Sequence, residues 1–544
     1  MVTRPVVAHE EGLSSLTSRA LTSRALANGS MGHRAKAVSL LSHLREETVA
    51  VAASRRHQDK GKLTAHERIA LLFDADTFEE NGALRVHRAH GMGMERTHPY
   101  SDGVVTGWGK IHGRRVFCYA LDSRIFGGAL GETQAAKIHQ CLDLALSAGA
   151  PVIAIHDGGG ARVQEGGLAL AGFGGIFRRH VALSGVVPQI SVILGACAGG
   201  SAYAPALTDF VFMVRGISQM VVTGPEVVGA VTGERPELED LGGADVHGNR
   251  SGVASFVRAD ERECLEEVRW LLQLLPSTVT EDPPAFDSAD PPDRRCEQLL
   301  EIVPVEDHLA YDVASVVEQI VDDGDHLQVH EGWARNVVCA LGRIDGRSVG
   351  FVANQPSVLA GAMDSDSSAK AARFIGMCDA FGIPIVSLVD VPGFLPGMEQ
   401  EHGGIIRHGA KLVYAYCSAT VPRIQVILRK AYGGAYIVMD SPSIGADLSV
   451  AWPTHKVAVM GSQSAVDLIF RREILAAADP EQRRRELIGD YEERMMQPLA
   501  CAELGLVDRI IDPADTRRVL ADALATFRHK RRPTIERRHG VHPT

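Results

Sequence analysis

Apolar positions along this chain follow two rhythms. The runs PVIAIHD (151–157), ISVILGA (190–196), PIVSLVD (384–390) and IQVILRK (424–430) are nearly continuously apolar, which suits strands buried on both faces. Segments around 132–148 and 367–381 carry their apolar residues at helical spacing and predict helices. The stretches 104–120 and 337–353 each break at a His-Gly or Asp-Gly pair, which predicts strand, turn and strand. Strand, helix, strand, helix is a βαβ order, so the fold class is α/β with covered sheets.

The pattern occurs twice. Residues 104–117, VVTGWGKIHGRRVF, align with 337–350, VVCALGRIDGRSVG, at an offset of 233, and the same offset pairs Lys137 with Lys370, Pro151 with Pro384 and Asp157 with Asp390. At an offset of 234, Val187-Pro188 matches Val421-Pro422, Val192-Ile193-Leu194 matches Val426-Ile427-Leu428, and Gly199-Gly200 matches Gly433-Gly434. Blocks in one order with a single slip predict two halves of one fold, related by internal duplication. The segment EDPPAFDSADPPD (281–293), with four prolines and four aspartates, suits an exposed linker. The expected division is a flexible extension over 1–35, an N-terminal domain over 36–282, a linker over 283–295 and a C-terminal domain over 296–540. An amphipathic helix is expected from Lys36 to about Arg56. The tandem LTSRA at 16–20 and 21–25 has no assigned role.

Composition narrows the function. Of the 544 residues, 45% are hydrophobic and 23% charged, as in a globular protein, and a net charge of −11 offers no nucleic-acid surface. Nine cysteines without a C-x2-C pair indicate neither a zinc ribbon nor a disulfide framework, and suggest a reduced, cytoplasmic protein. The uncharged stretch Val181 to Thr208 is interrupted by prolines and glycines, so a buried strand, a glycine turn and a helix start are expected rather than a membrane span. G-x-S-x-G, H-E-x-x-H and both nucleotide-loop patterns are missing, and His180, His402 and His408 lack metal-ligand spacing, so no metal is expected.

The glycine pairs carry the candidate chemistry. Cys197-Ala198-Gly199-Gly200-Ser201 and Ala431-Tyr432-Gly433-Gly434-Ala435 each follow a buried strand and open a helix. There, free N–H groups can face a developing oxyanion, or the glycines can simply allow tight packing. The loop His156 to Gly166 holds three consecutive glycines before Arg162, a site for cradling a phosphate; Arg162 is either a ligand contact or a structural salt bridge.

Several blocks together resemble a known family. GMGMERTHPYSDGVVTGWGKIHGR (91–114), FGGALGE (126–132), DGGGARVQEG (157–166), ACAGGSAYAPALTD (196–209) and TGPEVVGAVTGE (223–234) are similar to the carboxyltransferase β subunit of biotin-dependent acyl-CoA carboxylases, of the propionyl/acetyl-CoA branch. In the second half ANQPSVLAGAMD (353–364), KAARFIGMCDAFGIPIVSLVDVPGFLPG (370–397), RKAYGGAY (429–436) and GADLSVAWPT (445–454) agree. The resemblance implies two tandem crotonase-like (ClpP/crotonase) domains and a homo-hexamer, a trimer of dimers with sites between the N-half of one subunit and the C-half of another. It implies that Gly199 and Gly200 hold a thioester enolate and that Gly434 and Ala435 hold the biotin ureido oxygen, with Gly433 and Tyr436 on the biotin side and Gly159, Gly160, Ala161 and Arg162 toward acyl-CoA. The substrate is a CoA thioester. Biotin arrives on a separate biotin carboxylase/biotin carrier α subunit, since no Lys-Met biotin attachment pair and no ATP loop stand in this chain; a small accessory subunit is open.

Ile437 stands where the family's substrate-selecting residue, often Asp, is found, which implies a more apolar acyl wall. The glycine-rich run 166–175 is expected to reshape the acyl pocket or loosen a lid. Two other readings stay open: a biotin-dependent malonyl- or methylmalonyl-CoA decarboxylase or transcarboxylase subunit, and a non-catalytic assembly subunit.

Overall fold

In the computed structural model, residues 61–530 and 539–543 are described. The N-terminal extension, the LTSRA repeat and the expected helix over 36–56 lie outside them.

Two eight-stranded sheets form the frame. The first comprises β1 (Glu79–Asn81), β2 (Val104–Ile111), β3 (Arg114–Leu121), β4 (Val152–Gly158), β5 (Gln189–Ala198), β6 (Phe210–Val214), β7 (Gln219–Val221) and β8 (Phe256–Arg258). Its order is β1-β2-β3-β4-β5-β6-β8, with β7 beside the end of β5. The second comprises β9 (His326–Val329), β10 (Val337–Ile344), β11 (Arg347–Asn354), β12 (Ile385–Val391), β13 (Arg423–Tyr432), β14 (Leu448–Ala451), β15 (Lys456–Ala458) and β16 (Arg509–Ile510), in the order β9-β10-β11-β12-β13-β14-β16 with β15 beside β13. From β3 to β8 and from β11 to β16 the pairing is parallel. β4 and β12 are buried along their whole length, as their unbroken apolar runs require.

The duplication extends to backbone detail. His112-Gly113 turns β2 into β3 with φ of 50° and 75°, and Asp345-Gly346 turns β10 into β11 with 53° and 72°; two successive left-handed residues define the twist-matched hairpin turn. The helices Glu132–Ala148 and Ser365–Ala380 pack at matched positions. Each buries a lysine whose ammonium donates to main-chain carbonyls: Lys137 to Ser101 (2.9 Å) and Val104, Lys370 to His330 (2.9 Å) and Val337 (2.7 Å). Burial pushes both lysines down to about 8.

The glycine-rich run forms part of the helix Gly167–Leu183. A Cβ at Gly172 would stand 2.6 Å from the Ala135 Cβ, and one at Gly175 would stand 2.4 Å from the His139 ring. These glycines let the helix lie close against Glu132–Ala148; their propensity penalty is offset by contact.

The two halves share one hydrophobic core, which runs from Leu72 and Phe212 through Leu271 to Cys339 and Phe374. At the seam the His330 N–H donates to the Ser255 carbonyl (2.9 Å), and Arg373 reaches the Thr208 carbonyl (2.6 Å). The linker is largely exposed but not loose, which composition did not reveal. The Phe286 N–H donates to the Gly346 carbonyl, Arg343 stacks 4.2 Å over the Phe286 ring, and buried Arg517 binds the Asp290 and Pro291 carbonyls and the Asp322 carboxylate. Arg517→Met strips Asp322 of its buried partner and is expected to destabilise the protein by about 3–5 kcal/mol. Equilibrium urea unfolding reads this loss, and an unchanged midpoint would show that the anchor contributes nothing.

Candidate functional site

β5 and β13 are the central strands of their parallel arrays, and each ends in the same turn. Gly199 (φ 64°) begins the short turn Gly199–Ala202, and Gly433 (φ 62°) begins the helix Gly433–Val438. The first N–H groups of any helical turn lack an intrahelical acceptor, so those of Gly199 and Gly200, and of Gly434 and Ala435, are available donors at the carboxyl end of a sheet. The positive φ is what reverses the chain there; a side-chain-bearing residue would resist it.

A second loop supports each turn. Phe126, Gly127 and Gly128 (φ 49°, 63°, 66°) match Leu359, Ala360 and Gly361 (φ 50°, 54°, 80°) at the offset of 233. A Cβ on Gly128 would stand 2.3 Å from the Asp157 carbonyl oxygen, and one on Gly361 would stand 2.5 Å from that of Asp390, so both loops press on the end of the neighbouring strand. Beyond that strand end, the Leu130 N–H donates to Gly160 and the Arg162 N–H to Leu130; Met363, Gly393 and Leu395 repeat this pattern. Gly160 lies against the Ala198 carbonyl, where a Cβ would approach to 3.0 Å. The sequence-predicted residues 159–161 are therefore neighbours of the Gly199 turn.

Of the two readings left open for Arg162, the structure shows the salt bridge. Its side chain is only 2% exposed, donates to Asp102 (2.8 Å), Glu165 (2.8 Å) and the Ala129 carbonyl (3.0 Å), and stacks 4.6 Å over the Phe126 ring. It holds the glycine loops together. Its partner Asp102 has a left-handed backbone (φ 51°), and burial pushes its carboxyl upward against the pull of Arg162. The Tyr436 ring is half-buried and packs on the core, and its hydroxyl donates to the Leu506 carbonyl (3.3 Å). Ile437 is 44% exposed and lies three residues after Gly434, on the same helical face. At the matching place in the first half stands Tyr203, 52% exposed, which sequence reasoning missed although the 234 offset points to it.

The matched aspartates also have a place. Register shifts fall between His156 and Gly158 and between Val389 and Val391, so Asp157 and Asp390 occupy the same irregularity. Asp157 binds Lys62 (2.8 Å) and Arg68 (3.0 Å); Asp390 binds Arg429 (2.8 Å). Arg429 corresponds to Gly195, where a Cβ would stand 1.9 Å from the Asp157 carboxylate. One half brings its cation from within the central strand, the other from the N-terminal segment.

No side chain at either turn is set up as a nucleophile. Burial pushes the Cys197 thiol up to about 12, and its Sγ faces the Ser201 carbonyl (3.3 Å). His180 is internal, bonded to Tyr119 (3.1 Å) and Gln189 (2.7 Å). Among the described residues no group of His, Cys, Asp and Glu could hold a metal ion. What the site presents is oriented backbone N–H groups, suited to stabilising negative charge on an oxygen.

The carboxyl transferase domain family model matches residues 56–542. The chain is 52% identical over 485 residues to a propionyl-CoA carboxylase carboxyltransferase subunit of Haloferax mediterranei, covering 89% of this chain and 94% of that one. It is 46% identical over 503 residues to a methylmalonyl-CoA decarboxylase subunit alpha of Propionigenium modestum, covering 92% and 97%. A hexameric transcarboxylase 12S structure with methylmalonyl-coenzyme A and methylmalonic acid bound superposes with a TM-score of 0.91 at 45% identity, covering 94% of this chain and 98% of that one.

The first and second glycines of these turns are expected to answer differently to one methyl group. Gly199→Ala forces alanine into a left-handed conformation and is expected to cost about 1–2 kcal/mol. Gly434→Ala meets nothing within 4 Å inside a helix and is expected to be neutral or stabilising. Thermal melts compare them, and equal losses would contradict the geometry.

Proposed function

The chain belongs to the carboxyl transferase domain family, and from that premise we propose that it is the carboxyltransferase subunit of a biotin-dependent acyl-CoA carboxylase, moving CO2 from carboxybiotin on a separate carrier subunit to the α-carbon of a short-chain acyl-CoA. The observation that carries this reading is the matched pair of glycine turns, one per half, each presenting N–H donors where no nucleophile stands. The N–H groups of Gly199 and Gly200 stabilise the thioester oxygen as it gains negative charge during loss of the α-proton. Those of Gly434 and Ala435 hold the ureido oxygen of the docked carrier group, with Gly433 setting the turn. Biotin, when docked, supplies the CO2 and a ureido nitrogen able to take the α-proton; the chain supplies position and charge stabilisation. Gly159, Gly160 and Ala161 contribute backbone on the acyl-CoA side.

The two turns belong to different ligands and to different copies of the chain. The first turn ends the central strand of one sheet and the second turn that of the other, and among the described residues no strand pairing joins the two sheets. In this reading the N-half of one copy, set against the C-half of another, brings the two turns together. Exposed apolar residues flank both turns, Leu170 and Val222 on one side and Ile406 and Val459 on the other, and suit burial in a homo-hexamer. We place the enzyme in the cytoplasm. The reverse direction, decarboxylation, uses the same groups and is favoured by the relatives that run it; the partner subunits decide between them.

The test is the reverse half-reaction: the full chain, free biotin as acceptor, and malonyl-, methylmalonyl- and ethylmalonyl-CoA as donors. Decarboxylation by an assembled oligomer is expected, and silence against all three would contradict the reading. Gly434→Val is expected to keep the oligomer and lose about 100-fold or more in rate. Ile437→Asp is expected to change the ranking of the three donors by about tenfold, as a charge replaces an apolar wall; an unchanged ranking would remove Ile437 from substrate selection.

A further inference from the structure

The halves diverge at the first residue of their central strands. Gln189 opens β5 and Arg423 opens β13, and the N–H of each donates to an aspartate, Asp209 or Asp447, at 2.8 Å. From that shared frame the side chains part. Gln189 stays with its own helix layer, bonding the His180 ring (2.7 Å) and the His180 carbonyl (3.0 Å), a neutral arrangement. Arg423 crosses to the segment that leaves the Gly433–Val438 helix, donating to the Asp440 carboxylate (2.5 Å) and the Ile444 carbonyl (3.1 Å). Both members of the ion pair are 0% exposed.

Everything around Asp440 concerns how that helix ends. Asp440 has a left-handed backbone (φ 63°), a conformation a non-glycine residue keeps only when its surroundings over-determine it. Gln425, two residues along β13 from Arg423, donates to the Met439 carbonyl (2.9 Å), and the Ser441 N–H donates to the Ile437 carbonyl (3.3 Å). The exit of the helix is thus clamped to the strand that leads into its entry. A buried ion pair is a poor means of adding stability compared with apolar packing, so its place behind this turn asks for another role. The clamped turn is the one that carries Gly434, Ala435 and Ile437.

Resting on the function proposed above, we propose that Arg423 and Asp440 are a positioning couple: by fixing the exit of the Gly433–Val438 helix they aim the N–H groups of Gly434 and Ala435, and the Ile437 side chain, at the reacting groups. Neither touches substrate. The couple is at full strength when Asp440 is ionised. Burial pushes its carboxyl up to about 7 despite Arg423, and the other groups facing it are Asp447, Lys530, Ser387 of β12 and Tyr416 of the helix Ile405–Ser418. Above that pH the charge pair holds the turn; below it the carboxyl is neutral and the hold weakens.

The experiment uses the full-length oligomer in the half-reaction with methylmalonyl-CoA and free biotin. Arg423→Gln with Asp440→Asn replaces the charged couple by a neutral pair, as the first half has at Gln189, and asparagine tolerates the left-handed backbone. This double variant is expected to assemble, to keep the KM for methylmalonyl-CoA within about twofold, and to lose about tenfold in kcat through misaiming of the turn. Wild type is expected to show an acid limb in kcat near pH 7 that the double variant lacks, while Arg423→Lys, which keeps the charge, retains the limb and most of the rate. An assembled double variant with wild-type kcat and the same acid limb would overturn the proposal, and so would loss of the limb in Arg423→Lys alone. A double variant that does not assemble, with Arg423→Lys assembled and indistinguishable from wild type in kcat and pH profile, supports it. Wild type inactive toward every donor would overturn the functional reading and this inference with it, whereas an active wild type beside an unaltered double variant overturns this inference alone.

Discussion

A backbone can aim consecutive N–H groups out of the end of a parallel sheet only by reversing sharply, and that reversal requires a left-handed residue at the strand end. Gly199 and Gly433 supply it with φ of 64° and 62°. The architecture around them serves this constraint. β5 and β13 are central, so their ends are held by neighbours on both sides. The loops at Phe126–Gly128 and Leu359–Gly361 press on the adjacent strand ends, which requires further left-handed residues and glycines where a Cβ would collide with main chain. Donors held in this way need no reorganisation when charge develops, the condition under which such groups assist acyl chemistry most.

Duplication preserved the turns while the charges around them changed. Asp157 and Asp390 occupy one position, but the first is neutralised from the N-terminal segment across an open glycine and the second from its own central strand. Arg162 locks the first glycine loop through Asp102 and Glu165, whereas at the second turn the buried charge pair lies behind the helix. In the proposed account this asymmetry follows the ligands, since one half receives a CoA thioester and the other a tethered group on a carrier.

Much of this was legible in the sequence because its signals are local or periodic. Unbroken apolar runs marked β4, β5, β12 and β13, the His-Gly and Asp-Gly pairs marked the hairpins, and a constant offset revealed the duplication and with it the paired turns. The short strands β1, β7, β8, β15 and β16 were not legible, since two or three residues show no period and their pairing is set by the sheet they join. The two readings of Arg162 could not be separated in the sequence, because its inward direction depends on Asp102, sixty residues earlier. The packing role of the glycines at 172 and 175 was hidden for a related reason, because propensity weighs a glycine alone and the Ala135 and His139 contacts are tertiary. Arg423 and Asp440 carry no local signal at all.

The central claim is that a working site joins the first turn of one chain to the second turn of another. Complementation tests it most directly. Gly200→Val and Gly434→Val chains, each inactive in the half-reaction when alone, are dissociated, mixed in equal amounts and reassembled. A composite site predicts that activity returns to about a quarter of wild type, because a random pairing in a symmetric oligomer places an intact first half against an intact second half that often. If mixed oligomers form and remain inactive, each chain carries its whole site, and the account is contradicted.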